Sequence, residues 1–296
     1  MRLPAAILTA VACAGTATTA VGAFPQSAAS RLSAGRVVAS VSDYVRRYQE
    51  AFSFLIADEH SVQRASYETG REHGSAISEG PSWRTMRGEL FLTYLGADRR
   101  WIALHDVAEV DGLPVEGRDN LRALLAASPV QSVAARLFRH NARYNIGTIV
   151  RNFNEPTLAL QVLEPGNRTR FEFRIVDIDR KDPDGPLVTL GFRERERPTI
   201  VRNFDGGPVF SSGEMIVEAA RGIIRWTRIR FRHQSVDAEL TTTFEWDHRL
   251  DLWLPTTFAE RYSAGPREGR PPETITGNAR YQNYRRFEAT GRVAAP

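Results

Sequence analysis

Between Thr241 and Tyr262 the chain reads TTTFEWDHRLDLWLPTTFAERY, with apolar residues at every second position on either side of a polar break. Thr242, Phe244 and Trp246 share one face before the break. Leu250, Leu252, Leu254, Thr256, Phe258, Glu260 and Tyr262 share one face after it. A period of two suits a strand with one side against a core, because successive side chains point to opposite faces. Two strands joined at Asp247-His248-Arg249 account for every residue. The competing reading is a metal held by Asp247, His248 and Asp251. It has no second histidine nearby, and neighbouring strand positions point apart, so no metal and no cofactor is expected.

The same arithmetic along the chain gives two blocks of strands separated by helices. Ser33 caps a helix from about Ala34 to Ala51 that carries the stripe Val37, Val41, Tyr44, Tyr48 and Phe52. Strand-length runs follow at Phe52–Ile56, Val62–Tyr67, Met86–Leu95 and Trp101–Glu109, before a turn over Val110–Pro114. Asp119–Ala126 reads as a second helix. Ser128-Pro129 opens a third, which stops near Gly147. The second block comprises Leu158–Leu163, Phe171–Ile175, Leu187–Arg193, Pro198–Arg202, and a hairpin of Met215–Ala219 with Ile223–Phe231. Strands at this spacing predict a β-rich α+β fold: a large antiparallel sheet with the N-terminal helix and the central helical pair packed on it. The domain expectation is one unit over 34–290, with two sub-blocks, 34–147 and 148–290, as the alternative, and a tail at 291–296.

The first residues, MRLPAAILTAVACAGTATTAVGAFPQS, have the form of a signal peptide over 1–23. Val21-Gly22-Ala23 predicts cleavage after Ala23, followed by a linker over 24–33. An uncleaved anchor and a lipid on Cys13 are the alternatives. Cys13 is the single cysteine, so the mature chain has no disulfide. No later stretch reaches the ~20 apolar residues of a transmembrane helix. A periplasmic or secreted destination follows. The net charge is +4, and with Lys181 the only lysine, 38 of the 39 basic residues are arginine. They are interleaved with acids rather than clustered, and export removes most nucleic acid, so no nucleic-acid partner is expected.

No segment names a reaction. The six histidines form no HExxH or i, i+4 pair, no Gly-x-Ser-x-Gly elbow occurs, and the glycine pairs lack a phosphate-loop pattern. An enzyme is not expected unless acids, or a histidine and an acid, meet in space around a pocket.

A strand entering Leu252-Trp253-Leu254-Pro255, then Glu260-Arg261-Tyr262, then Tyr281-Gln282-Asn283-Tyr284-Arg285-Arg286-Phe287, resembles uncharacterised exported bacterial proteins. Their C-terminal halves are similar to outer-membrane lipoprotein-sorting proteins of the LolA/LolB type. The segments Ala142–Gly147 and Arg197–Arg202 are similar to that exported group as well. The resemblance to the sorting fold covers roughly the last third of the chain and the order of helices and strands. It implies a large curved antiparallel sheet, an incomplete barrel, with helices across its open side and a concave face that takes acyl chains. No functional residue of the sorting family maps onto a position here.

The leading expectation is therefore an exported binding protein holding a lipid or acyl chain, or the acyl group of a lipoprotein, in the sheet groove. Phe244, Trp246, Leu252, Leu254, Phe258 and Tyr262 are the candidate lining residues. The alternative is a non-catalytic envelope interaction domain with a packed core, whose outward Arg228, Arg230 and Arg232 meet a protein partner or an anionic surface.

Overall fold

The computed structural model describes residues 32–51, 54–67, 82–96, 99–118, 120–149, 151, 155–203, 205–266 and 271–287. The leader 1–23 with Cys13, linker residues 24–31, Phe52, Asp119 and the tail 291–296 lie outside them. The elements run α1 (Ala34–Ala51), β1 (Leu55–Tyr67), β2 (Trp83–Leu95), β3 (Arg100–Val110), β4 (Leu113–Pro114), α2 (Leu121–Ala127) and α3 (Val130–Asn141). Two 3₁₀ helices follow, at Ala142–Tyr144 and Leu158–Leu163. Then come α4 (Pro165–Arg168), β5 (Phe171–Asp179), β6 (Leu187–Glu194), β7 (Val201–Arg202), β8 (Pro208–Val209), β9 (Ser211–Glu218), β10 (Ile224–His233), β11 (Val236–Asp247), β12 (Leu252–Ala264) and β13 (Glu273–Arg286).

Among the described residues eleven strands form one antiparallel sheet in the order β4-β3-β2-β1-β13-β12-β11-β10-β9-β6-β5. The last strand lies against the first, so the two strand blocks merge, and the sheet ends at β4 and β5 without closing. Its curvature follows from packing. Leu158–Leu163 touches both β3 and β10, which are six places apart in the sheet. Laid flat, those strands would be about 29 Å apart. The sheet must wrap around the segment.

Helix α1 crosses the open side. It packs on the edge strand β5 and on Leu158–Leu163, while Tyr48 reaches Trp101 near the other edge, with ring centroids 5.4 Å apart. Ser33 caps it as expected, and Val37, Val41, Val45 and Tyr48 turn inward. The helical pair covers the opposite sheet face. Val133, Ala134 and Leu137 of α3 pack with Ile56, Phe91, Ile102 and Leu104. Trp101 and Ile102 are strand neighbours, so they face opposite layers, and β3 is buried on both sides.

Three local expectations change. Phe52–Ile56 and Val62–Tyr67 are not separate strands: β1 runs unbroken through the polar Asp58-Glu59-His60. Glu59 is paired with Tyr281 on one side and Gly88 on the other, and main-chain pairing is indifferent to side-chain polarity. Leu158–Leu163 is a buried 3₁₀ helix rather than a strand. Six apolar residues suit either element when every side is buried. Of Pro198–Arg202 only Val201–Arg202 forms a strand, paired with β8.

Candidate functional site

Five of the six predicted lining residues lie in the interior: Phe244, Leu252, Leu254, Phe258 and Tyr262 are all buried. Trp246 does not join them; it is 38% exposed. The alternation of β11 holds through Phe244, and the strand end carries the indole to the rim of the sheet.

The interior also holds a charged cluster. Gln63 of β1 and Glu260 of β12 both stand opposite Gly277 of β13. A Cβ on Gly277 would come within 2.5 Å of the Glu260 carboxylate, so glycine makes the room that the acid occupies. Arg151, which is 2% exposed, descends onto this row from the chain after α3. Its guanidinium donates to the Gln63 amide oxygen and to the Ile146 carbonyl at 2.8 Å. Its Nε lies 3.6 Å from Glu260. The Tyr262 hydroxyl donates to the other oxygen of Glu260 at 3.0 Å, and the guanidinium sits 5.7 Å from the Tyr262 ring centre. Glu273 accepts from the Thr148 amide at 2.8 Å and from its hydroxyl, tying the same loop to β13.

Beside this row His105 Nδ1 lies 2.7 Å from Glu59, both nearly buried. The void next to them, shared with Ser61, Gln63 and Asn141, is about 40 Å³. A second, bordered by Glu59, Glu260 and Tyr281, is about 30 Å³. Each suits about one water molecule. A carboxylate–imidazole pair of this geometry can relay a proton.

Burial dominates the electrostatics. Desolvation pushes Glu260 above the usual carboxylate range, against the pull of Arg151. It pushes Glu155 to about 7, opposed by the Gln161 amide. Glu164 is raised by burial as well. That residue joins two elements: it accepts from Gln49 of α1 and, at 3.1 Å, from the Tyr94 hydroxyl of β2.

The outward arginines of β10 are already partnered. Arg228 faces Glu214, Arg230 faces Glu239, and Arg232 donates to Asp237 at 2.8 Å, each across a strand pair. Self-neutralised in this way, they form a ladder rather than a free basic surface. The ladder is solvent-exposed, so Arg230→Ala should change stability by less than about 1 kcal/mol in urea denaturation.

Two wide open clefts lie among the described residues. One, about 910 Å³, lies on the outer face around Arg193, Phe210, Ser212, Arg230 and Arg261. The other, about 830 Å³, lies at the rim beside α1, around Tyr44, Arg47, Arg221, Arg225, Trp246 and Trp253. Near the rim Asp247 caps its own turn by accepting from the Arg249 and Leu250 amides, while His248 accepts the Trp246 indole N–H.

The sequence signs missed here are Arg151, Gln63, the Glu59–His105 pair and Arg225. Glu260, lying in phase with Leu252, Leu254 and Phe258, was the one visible sign of a charged interior.

No family profile matches the chain by sequence, and no curated protein matches it. Among solved structures it is similar to a domain from Vibrio parahaemolyticus assigned by name to outer membrane lipoprotein sorting. Identity is 8%, over 83% of this chain and 90% of that one, with a TM-score of 0.31. It is also similar to a DUF1329 family protein from Desulfovibrio piger ATCC 29098, at 10% identity over 88% and 95% of the two chains, with a TM-score of 0.34.

Proposed function

We propose that this chain is an exported, non-catalytic binding protein of the bacterial envelope that takes a lipid or acyl chain between the inner sheet face and α1. One observation carries the reading. The open side of the sheet is covered by α1 and Leu158–Leu163, which face inward with aliphatic side chains such as Val37, Val41, Val45, Leu158, Leu160 and Val162. Undocking about five such side chains costs about 10 kcal/mol at ~2 kcal/mol each. An acyl chain of about fourteen carbons returns about 0.8 kcal/mol per methylene, a comparable sum. Exchange of lid for ligand is near balance, as a carrier that must also release its cargo requires. The absence of a catalytic role is part of the proposal. Its support is the size of the voids beside Glu59–His105, about 40 and 30 Å³, each about that of one water molecule.

Trp101 lies under α1, against Tyr48, and serves as the reporter. Titrating the protein purified from a periplasmic extract with cis-parinaric acid should give saturable one-to-one binding. Energy transfer from tryptophan to the probe should fall in Trp101→Phe. Native mass spectrometry of the same preparation should show a lipid mass adduct. The small interior voids favour a second reading, a packed domain that binds a protein partner. Non-saturable probe binding together with a bare polypeptide mass would establish that reading instead.

A further inference from the structure

The rim cleft has a composition that neither an acyl chain nor a bilayer explains. Its walls come from α1, the β9–β10 turn and the β11–β12 hairpin. The Arg225 guanidinium covers one face of Trp253 at 4.0 Å from the ring centre. That guanidinium is itself held by Glu218, at 2.6 Å, and by Asp184, at 3.0 Å. Trp246 packs at 6.1 Å from Trp253 and is steered by its 3.1 Å hydrogen bond to His248, yet remains exposed. Tyr44 stands on the opposite wall, backed by Tyr48 at 5.7 Å. The aromatic rings are therefore fixed before any ligand arrives, which lowers the ordering cost of binding.

The charges decide among ligands. Arg221 and Arg225 are paired with Glu218 and Asp184 on or beside the same walls, and Arg47 shares its wall with Asp43, the ion-pair partner of Arg46. With two of its three arginines already committed to carboxylates, the cleft offers a polyanion little free positive charge. A flat bilayer cannot enter a concavity. An aliphatic chain would strip water from paired charges without replacing it. A sugar ring meets every feature: its C–H face stacks on a flat indole, and its hydroxyls both donate and accept, as fixed guanidinium and carboxylate groups require. We propose that this cleft is a saccharide-binding site, with Trp246 as the stacking platform and Arg225 as the principal hydrogen-bonding group. The site shares α1 with the seal over the interior, but its principal groups, Trp246 and Arg225, lie on β11 and β10, so either assignment can fail without the other.

The test is titration of the periplasmically purified protein with maltotetraose, cellotetraose and tetra-N-acetylchitotetraose, followed by calorimetry and tryptophan fluorescence. At least one should saturate with a sub-millimolar Kd, Trp246→Ala should weaken it about tenfold or more, and Trp246→Phe should retain part of the affinity. Far-UV circular dichroism and the urea midpoint establish that each variant is folded. The proposal is overturned if no saccharide saturates by about 10 mM. It is equally overturned if Trp246→Ala binds as wild type, or if anionic vesicles, and not the sugars, shift the tryptophan emission.

Discussion

Replacing Arg151 with methionine is expected to destabilise the chain by about 3–5 kcal/mol at pH 8, the usual cost of stranding a buried carboxylate. Methionine fills much of the volume without the charge. Glu260 then retains only the Tyr262 hydroxyl, and the Gln63 oxygen loses its guanidinium donor. Glu260→Gln alone should also be costly, because it leaves Arg151 as the uncompensated charge. The double variant Arg151→Met/Glu260→Gln should recover most of the loss, since both charges are then gone. Urea midpoints for the four proteins read the cycle directly. Lower pH should shrink the Arg151→Met penalty, because Glu260 is already raised by burial and Arg151 is the largest opposing influence. A single-variant cost below about 1 kcal/mol, or a double variant worse than either parent, would remove the cluster from the account of stability.

That cluster marks the boundary of what could be read from residues alone. The strand alternation around Leu252–Tyr262 was legible because one face meets the core along its whole length, and five of six proposed inward residues are there. The α1 stripe was legible for the same reason at period 3.6, although Val45 was passed over. Trp246 failed because the alternation holds only through Phe244, and at the end of β11 the inward phase no longer meets the core. β1 was divided in two because Asp58-Glu59-His60 looks like a strand end. Its inward Glu59 is answered by His105, 46 residues away, and sequence periodicity carries no information about such partners. Arg151 was invisible for the same reason: Gln63 lies 88 residues before it. The outward arginines of β10 were legible as outward, and their neutralisation was not, because cross-strand register decides it.

Stability should fall as pH rises from about 5 to about 8, the reverse of the usual behaviour of salt-bridged carboxylates. Burial holds the Glu155 carboxyl near 7, against an ordinary value of 4.5. An acid raised on folding keeps its proton in the folded chain after the unfolded chain has lost it. Its contribution is fully present below about 4.5, declines between 4.5 and 7, and is constant above. For Glu155 alone the decline amounts to about 3 kcal/mol. Glu164 and Glu260 are raised too, so they add in the same direction. Exposed Asp58, Glu172 and Asp237, lowered by hydrogen bonds from Asn283, Arg195 and Arg232 in turn, act below the window and make stability fall again at strongly acid pH. The urea midpoint should therefore peak near pH 5. Glu155→Gln should remove much of the slope and exceed wild type at pH 8, because the amide needs no proton to stay buried. A midpoint at pH 8 equal to or above that at pH 5 would sink the assignment. Part of the slope arises where α1 is latched, since Glu164 accepts from both Gln49 and Tyr94. The cost of ionising that carboxyl is desolvation, offset in part by the Tyr94 hydrogen bond, and it falls beside α1 rather than in a remote part of the fold.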